Sequence, residues 1–437
     1  MDIWTRASSA LEHSRPITAE GIVTDIIGLV IEGSGPTVGI GTTCEIRYGE
    51  RVVPAQVVGF RKEKVLLMPL ADTTGLAPGA SIISRGLGDT ISVSKDMLGR
   101  VIDPMGRPLD GKRPFVKDIE VPLFRTPPDP LSRKRVNQKL DTGIKVINGL
   151  LSVGQGQRIA IMAGSGVGKS TFLGMLARHA ESQVNVIALV GERGREVREF
   201  IEKDLGPEGL KRSILVVATS DSSALMRVRA AMAATAIAEF FRDQGCRVNL
   251  MVDSITRYCM ALREVGLAVG EPPTAGGYTP SVFAELPRLL ERAGTSSGEG
   301  SITAFYTVLV EADDINDPVA DAVRGILDGH IVLSRKLASK GQYPAVDILN
   351  SLSRVMSDLV SSEHSQIARL FKETIAAYQE VEDLILIGAY KTGQNPMVDL
   401  AIQRIGAIVE YLKQTPEEKY SWEKCEEGIV KIFSSSV

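Results

Sequence analysis

The chain has 437 residues, enough for about three domains with a full hydrophobic core. Its 44% hydrophobic and 24% charged residues are typical of a globular protein. The net charge of −3, from 50 basic and 53 acidic residues, carries no polyanion-binding signature, so we expect no nucleic-acid partner.

The cysteines and the N-terminus bear on the cellular compartment. The 4 cysteines are far apart and none forms a C-x-x-C pair, so neither a zinc site nor a disulfide framework is predicted. The first residues lack the basic stretch and apolar run of a signal peptide, and no apolar run approaches the roughly 18–20 residues that cross a bilayer. We expect a reduced, cytosolic protein that meets a membrane only peripherally.

Apolar residues at helical spacing open the chain. Ile3, Trp4, Ala7 and Leu11 would share one face of a short helix within residues 1–17, which Pro16 ends. This helix either packs on its own domain or docks on a partner or a membrane surface, and the spacing fits both.

Residues 18–95 consist of short β-branched runs separated by Gly, Asp and Pro turns, a pattern that predicts a small closed β-barrel. The next stretch, 100–135, is rich in Pro, Gly and Arg, which predicts a connector of turns and extended chain. The predicted barrel strands are Gly21–Ile27, Thr37–Gly39, Val52–Val58, Lys64–Met68 and Ser81–Ile83.

Compact apolar runs alternate with helical patterns beyond residue 140, within a domain that we assign to residues 96–360. Runs that are apolar on both faces suit a buried parallel sheet, and the alternation predicts a doubly wound α/β domain. Helical periodicity dominates afterwards, so 361–437 is expected to form a helical domain. The apolar runs are Arg158–Ala163, Val184–Gly191, Ser213–Ser220, Val248–Ser254, Ser301–Leu309 and His330–Ser334, and the helical patterns include Arg227–Gln244, Ile367–Leu386 and Met397–Lys413.

A phosphate-binding loop (Walker A) follows the first of these strands. Residues 163–170 read Ala-Gly-Ser-Gly-Val-Gly-Lys-Ser between an apolar run and the helical pattern Thr171–Ala180, the context that such a P-loop requires. Backbone N–H groups would curl around the phosphates, Lys169 would reach the β- and γ-phosphates, and Ser170 would ligate Mg²⁺. Ala163 in place of the first glycine is a mild departure. The predicted nucleotide-binding residues are Gly164, Ser165, Gly166, Val167, Gly168, Lys169, Ser170 and Thr171.

Carboxylates after two further strands supply the other parts of a hydrolytic site. Asp253 ends an apolar run and suits the residue that holds the Mg²⁺ shell, although a helix N-cap would also place an aspartate there. Glu192 lies just after another run and would align the attacking water. Glu196 and Glu199 compete for that role. These residues alone predict a hydrolytic P-loop NTPase with an unassigned task.

The same motifs resemble the catalytic subunits of rotary ATP synthases and, more closely, the ATPases that energise type III protein export, most of all the flagellar ones. The similarity runs from about residue 20 to 410 and implies a β-barrel, a RecA-like nucleotide domain and a helical C-terminal domain. The motifs of the whole family are Leu98–Asp103, Gly154–Arg158, Gly191–Arg193 and Asp253–Arg257, and those of the export branch are Gly270–Pro273, Gly277–Phe283, Leu286–Arg292 and Thr303–Leu309.

The resemblance assigns roles to single residues. It implies that Glu192 is the catalytic glutamate, that Arg193 and Arg257 lie near the γ-phosphate, and that Tyr343 stacks on adenine. It makes Arg354 an arginine finger that reaches the nucleotide of a neighbouring subunit. Synthase rings divide the glutamate and the finger between two kinds of subunit, whereas this chain carries both, so the resemblance predicts a homohexameric ring.

Ligands and partners follow from the same resemblance. It implies ATP with Mg²⁺, a regulator dimer that docks at residues 1–17, a central stalk protein, membrane proteins of the export gate, and chaperone–substrate complexes. The protein would be cytoplasmic and peripheral at the inner face of the membrane. Residues 278–290 would line the central opening of the ring or only support the nucleotide domain. The second aromatic that the synthase places against adenine is absent near residues 411–416, which predicts weaker base selectivity.

Three other functions remain open. The first is the ATPase of a virulence injectisome. Only Asp347–Asn350 and the residues around Ala284–Glu285 favour a flagellar ATPase over it, and they do so weakly. A non-hydrolytic ring subunit is disfavoured because Lys169, Glu192 and Asp253 are all present. A RecA-like nucleic-acid translocase is disfavoured by the acidic net charge and the lack of a basic, aromatic-rich module.

Overall fold

The computed structural model describes residues 19–84, 89–116, 118–310 and 317–434. The helix predicted within residues 1–17 therefore lies outside the described residues. Within the described ranges, no helix combines the length and apolar character that crossing a membrane would require.

Six antiparallel strands near the N-terminus close into a barrel in the order β1-β2-β5-β4-β3-β6. Alternate residues such as Cys44, Ile46, Leu67 and Ile82 point inwards and form its core. The strand predicted at Thr37–Gly39 is wrong, because these residues form irregular chain between the strand that ends at Ser34 and a turn at Ile40–Gly41. The strands are β1 Glu20–Ile27, β2 Val30–Ser34, β3 Thr43–Tyr48, β4 Arg51–Arg61, β5 Lys64–Pro69 and β6 Ser81–Ser84.

A two-stranded sheet joins the barrel to the central domain. Strand β7 (Thr90–Val93) falls inside the predicted barrel range of 18–95, but it pairs with the later strand at Ile119–Pro122 and with no barrel strand. Ile91 and Val93 are buried in the core of the central domain. Among the described residues, the last barrel strand therefore ends at Ser84, and Ile91 and Val93 already pack with the nucleotide domain.

The central sheet has the order β17-β16-β10-β15-β13-β11-β12-β8, with β14 paired to β15. Its neighbours are parallel except for β14 and the edge strand β17, which run antiparallel. The carboxyl ends of β10, β13 and β11 meet at one edge, where an open α/β sheet collects ligands. The remaining strands are β8 Arg100–Ile102, β9 Ile119–Pro122, β10 Arg158–Ala163, β11 Val184–Glu192, β12 Ser213–Thr219, β13 Arg247–Asp253, β14 Gly294–Thr295, β15 Ser301–Leu309, β16 Gly329–Leu333 and β17 Val346–Ser353.

Helices cover both faces of this sheet, and the last three form the C-terminal helical domain. In that domain the Phe371 ring packs edge-on against Tyr411 and Phe433. The helices are α1 Lys145–Leu150, α2 Lys169–His179, α3 Gly194–Glu199, α4 Gly206–Lys211, α5 Ala224–Asp243, α6 Ile255–Val269, α7 Pro280–Leu290, α8 Pro318–Ile326, α9 Arg335–Ser339, α10 Met356–Leu359, α11 Ser362–Leu386, α12 Pro396–Leu412 and α13 Trp422–Ser434, with a π-helical turn at Phe200–Leu205 and 3₁₀ turns at Lys95–Met97, Pro130–Ser132 and Ala275–Gly277. The predicted fold class of barrel, parallel-sheet nucleotide domain and helical C-terminal domain is confirmed.

Candidate active site

The phosphate loop connects the end of β10 to the first turn of α2. Gly166 and Gly168 adopt left-handed backbone angles, with φ of 76° and 87°, which a residue with a side chain adopts only under strain. Val167 is buried and anchors the loop, whereas Ser165 and Ser170 are exposed. Burial of Val167 thus anchors the loop to the core of the domain, while the opposite side of the loop stays open at the N-terminus of α2.

A cavity of about 880 Å³ lies above this loop and brings most of the predicted site residues together. Val167 and Asp253 lie outside its lining, in the buried layer beneath it. The predicted residues that line the cavity are Gly164, Ser165, Gly166, Gly168, Lys169, Ser170, Thr171, Glu192, Arg193 and Arg257.

Lys169 lies between the predicted catalytic glutamate, Glu192, and the predicted magnesium ligand, Asp253. Its Nζ contacts Asp253 Oδ1 directly and lies 3.4 Å from Glu192 Oε1. Thr307 Oγ1 donates a hydrogen bond of 2.6 Å to the same Asp253 oxygen. Burial by itself lowers the pKa of Lys169, but the charges of Asp253 and Glu192 raise it overall. The ammonium group therefore stays charged and compensates the buried Asp253 and the partly buried Glu192.

Glu192 reaches the cavity through an irregularity at the end of β11. The pairing of β11 with β12 shifts between Val190 and Glu192, and Gly191 there has a φ of 72°. Burial raises the pKa of Glu192 to about 7, with Asp253 and Glu196 reinforcing the shift and Lys169 opposing it. A carboxyl group that titrates near neutral pH is matched to general-base chemistry.

The two competing glutamates occupy different positions. Glu196 lines the same cavity as Glu192. Glu199 lies outside that lining and accepts a hydrogen bond of 3.1 Å from the exposed Arg195. Glu192 alone of the three contacts Lys169, so the geometry favours it as the base.

Two arginines border the cavity near Glu192. Arg257 lies in the first turn of α6, and its side chain passes 3.1–3.4 Å from the position that a Cβ on Gly191 would occupy. The glycine therefore leaves room for Arg257 to cross the end of β11. Arg193 is largely exposed and pairs with Glu196 at 3.6 Å.

Tyr343 sits at the rim of the loop. Its ring lies 3.6 Å from the position that a Cβ on Gly168 would occupy, and 48% of the residue is exposed. The backbone N–H of Gln414 donates a 2.9 Å hydrogen bond to the Tyr343 carbonyl, so the C-terminal domain holds this rim. Tyr411 is buried instead, and its hydroxyl bonds the carbonyls of Cys425 at 3.0 Å and Lys145 at 3.2 Å, so it packs between the helical domain and α1.

Arg354 lies apart from the cavity of its own chain. It follows the edge strand β17, is exposed, and is absent from the cavity lining. Its Nη2 donates a 3.1 Å hydrogen bond to the carbonyl of Arg324. This position agrees with a side chain that acts on a neighbouring subunit.

Sequence reasoning missed three residues of the site. Ser220 follows β12 and Arg335 begins α9 just beyond β16, and both line the cavity. Thr307, on β15, orients Asp253. The signal that could have found the first two is their place at the carboxyl ends of strands in the parallel sheet.

Three family models match consecutive parts of the chain. Residues 23–86 match the β-barrel domain of the ATP synthase alpha/beta family, and residues 143–353 match its nucleotide-binding domain. Residues 360–429 match the C-terminal domain of the type III secretion ATPase EscN.

Relatives match along nearly the whole chain. A flagellum-specific ATP synthase of Bacillus subtilis (strain 168) is 55% identical over 402 residues, 91% of each chain. A type 3 secretion system ATPase of Xanthomonas euvesicatoria is 49% identical and covers 94% of this chain and 93% of the relative. The structure of the assembled ATPase EscN from the enteropathogenic E. coli type III secretion system matches with a TM-score of 0.90 at 46% identity, over 94% of this chain and 99% of EscN. The chain therefore belongs to the ATP synthase alpha/beta family, in the branch that contains the flagellar and type III secretion ATPases.

Proposed function

We propose that this ATPase forms a ring that energises type III protein export during flagellum assembly, by engaging chaperone–substrate complexes at the export gate. The observation that carries the enzymatic part is the direct contact of Lys169 with Asp253 and Glu192 beneath an open phosphate loop. The 55% identity to the Bacillus flagellar relative favours the flagellar task. The 49% identity to the Xanthomonas secretion ATPase makes an injectisome the second candidate.

We propose Mg²⁺ as the metal that accompanies ATP, with Ser170 and Asp253 as its protein ligands. The donors fit, because the Ser170 side chain is exposed at the start of α2 and Asp253 ends β13 with Oδ1 oriented by Thr307. Mg²⁺ prefers a few hard oxygen donors and completes its shell with water and substrate phosphates. When bound, the metal would neutralise charge that develops on the phosphates.

Lys169 links nucleotide binding to the activation of Glu192. In the free site its ammonium group compensates Asp253 and Glu192, and phosphate oxygens compete for the same group. Binding of ATP would draw Lys169 towards the β- and γ-phosphates and remove the charge that lowers the pKa of Glu192. Glu192 would then be the stronger base at the moment when it must accept a proton from water.

A ring of identical subunits would complete each site. Arg354 projects from the edge strand of the sheet, away from its own cavity, and an arginine finger stabilises charge on the γ-phosphate of the neighbouring subunit. EscN, whose assembled form matches this chain, has also been solved with its central stalk EscO. We infer a homohexamer with an equivalent stalk partner. Tyr343 would stack on adenine at the rim of the loop.

The remaining partners and the location complete the proposal. A regulator dimer would dock at residues 1–17, and the ring would lie in the cytoplasm against the inner face of the membrane, at the export gate. Helix α7 buries Val282 and Leu286 and presents the exposed pair Glu285–Arg288 on its outer side. We propose that this outer side faces the central opening, while the buried side supports the nucleotide domain.

Phosphate release from ATP, measured against protein concentration with Mg²⁺ present, tests the ring proposal. We expect specific activity to rise with concentration, because Arg354 acts only after subunits assemble. Activity that is independent of concentration would contradict a shared site. A chain that releases no phosphate under any assembly condition would instead be a non-hydrolytic ring subunit. Deleting the gene and scoring filament assembly against injectisome secretion separates the two export tasks.

The value of kcat/KM for ATP is expected to fall as the pH drops below about 7. The pKa of Glu192 in the free site is raised to about 7, so its protonated fraction grows on the acid side and the base is lost there. This parameter reports groups of the free enzyme. Nucleotide binding by Glu192→Gln over the same pH range accounts for titration of the nucleotide itself. An acid limb near the ordinary glutamate pKa of about 4.3 would contradict the assignment.

A further inference from the structure

The motif Gly154–Arg158 has no part in the nucleotide site. It lies just before β10 and ends on the first residue of that strand, whereas the phosphate loop begins at the other end, at Ala163. The side chains of the motif therefore serve another part of the molecule.

Arg158 forms a bidentate ion pair with Asp328. Its Nε donates to Asp328 Oδ2 at 3.0 Å and its Nη2 donates to Oδ1 at 3.1 Å, while its third nitrogen, Nη1, lies 2.5 Å from Glu291. Burial alone would lower the pKa of Arg158, but Asp328 and Glu291 raise it overall. Such bidentate geometry fixes both position and orientation.

Asp328 in turn holds the backbone of Arg354. The Asp328 carbonyl accepts a 3.0 Å hydrogen bond from the Arg354 backbone N–H and a 3.1 Å bond from the side-chain amide of Gln157. The same Gln157 amide nitrogen lies 3.1 Å from the hydroxyl oxygen of Ser353. Gln157 of the motif thus holds Ser353, and Asp328, which the motif residues Gln157 and Arg158 bind, holds Arg354.

Packing reinforces this arrangement. Gln157 is fully buried, and the Ser353 hydroxyl donates a 2.8 Å hydrogen bond to the Ser152 carbonyl. A Cβ on Gly329 would lie 2.4 Å from the Leu352 carbonyl, so only glycine allows β16 and β17 to approach this closely. The backbone that carries Arg354 is therefore fixed, while the Arg354 side chain remains exposed.

We propose that Gln157, Arg158 and Asp328 form a positioning clamp for Arg354 that sets the catalytic rate of the neighbouring subunit. This inference rests on the proposed role of Arg354 in trans. The clamp residues do not line the cavity above the phosphate loop, so they would act only through the finger. Displacing a reacting group by about 1 Å can cost on the order of 10²-fold in rate, so a loosened clamp reduces turnover even when the ring is intact.

Two conservative variants test the clamp in the full-length chain. Arg158→Lys keeps the charge and removes the fork, and Asp328→Asn keeps the shape and removes the charge. We expect each to lower kcat about 10- to 100-fold with KM, nucleotide affinity and ring formation unchanged. Arg198→Lys is the matched control, because it makes the same change of arginine to lysine at the exposed 2.7 Å pair with Glu202 and should leave kcat at the native value.

Mixed rings decide whether Arg158 acts across subunits. Arg158→Lys subunits have an intact site, and Glu192→Gln subunits have an intact clamp and finger. Mixed before assembly, the two are expected to hydrolyse ATP faster than the sum of their separate rates. A mixture that only reaches this sum would place the effect of Arg158 in its own chain and overturn the clamp. Native kcat in both clamp variants would overturn it equally.

The same mixing with Arg354→Ala separates this inference from the proposed function. Rescue of Arg354→Ala by Glu192→Gln, without rescue of either clamp variant, would reject only the clamp. Loss of rescue for Arg354→Ala as well would reject the finger in trans. Should Arg158→Lys fail to assemble, Asp328→Asn supplies the same comparison, because it retains the backbone carbonyl that binds Arg354.

Discussion

Replacing Arg354 with alanine is expected to lower kcat by about 10³–10⁵-fold, the range over which arginine fingers act. The guanidinium would stabilise charge on the γ-phosphate of the next subunit, and alanine removes it entirely. Binding of ATP should persist, because Arg354 does not line the cavity of its own chain. Steady-state phosphate release and equilibrium binding of a non-hydrolysable analogue measure the two effects separately.

Arg354→Lys is the informative companion of this variant. It keeps a positive charge on a flexible stem but loses the planar fork, so we expect activity between those of the native and alanine chains. Ring formation should be unchanged in both variants, because the Arg354 side chain makes its hydrogen bond only to the Arg324 carbonyl in the described structure. Native activity in Arg354→Ala rings would refute the finger.

The buried strands of the central sheet and the phosphate loop could be predicted from local residue patterns. Runs that are apolar on both faces predicted the buried strands β10, β11 and β13, and the Gly-Lys-Ser ending placed the phosphate loop between β10 and α2. These patterns are informative because buried parallel strands and phosphate cradles each restrict residue type strongly.

Strands with weaker patterns were missed or misplaced. The edge strand β17 mixes apolar residues with Asp347, Asn350 and serines, so its sequence resembles a loop. Its pairing with β16 and the burial of Val346 and Ile348 stabilise it. The run Thr37–Gly39 contains β-branched residues, but it lies between the end of β2 at Ser34 and the start of β3 at Thr43 and pairs with no described strand. Pairing is a long-range property, and local propensity does not encode it.

The candidate site, too, could be predicted from local motifs only in part. Lys169, Asp253 and Glu192 could be found from motifs, but their mutual contact depends on the order of the strands in the sheet. Arg335 lies in none of the motifs, and the motif that contains Thr307 says nothing of its role, so only the fold brings Thr307 to Asp253 and Arg335 to the cavity. The roles of Arg354 and Tyr343 came from resemblance, because a single arginine or tyrosine has many ordinary uses.

Replacing Glu192 with glutamine is expected to lower kcat by about 10²–10⁴-fold, the usual contribution of a positioned general base. The amide has nearly the same shape but cannot accept the proton of the attacking water. Nucleotide affinity should be retained, since the phosphate loop and Lys169 remain. Single-turnover hydrolysis and analogue binding separate the chemical step from binding.

Glu196→Gln and Glu199→Gln are the matched controls for this variant. Glu196 lines the same cavity but pairs with the exposed Arg193, and Glu199 pairs with Arg195 outside it. We expect only small losses in both, because neither carboxylate contacts Lys169. A loss in Glu196→Gln as large as that in Glu192→Gln would transfer the base to Glu196. The raised pKa of Glu192 would then reflect its burial beside a catalytic neighbour.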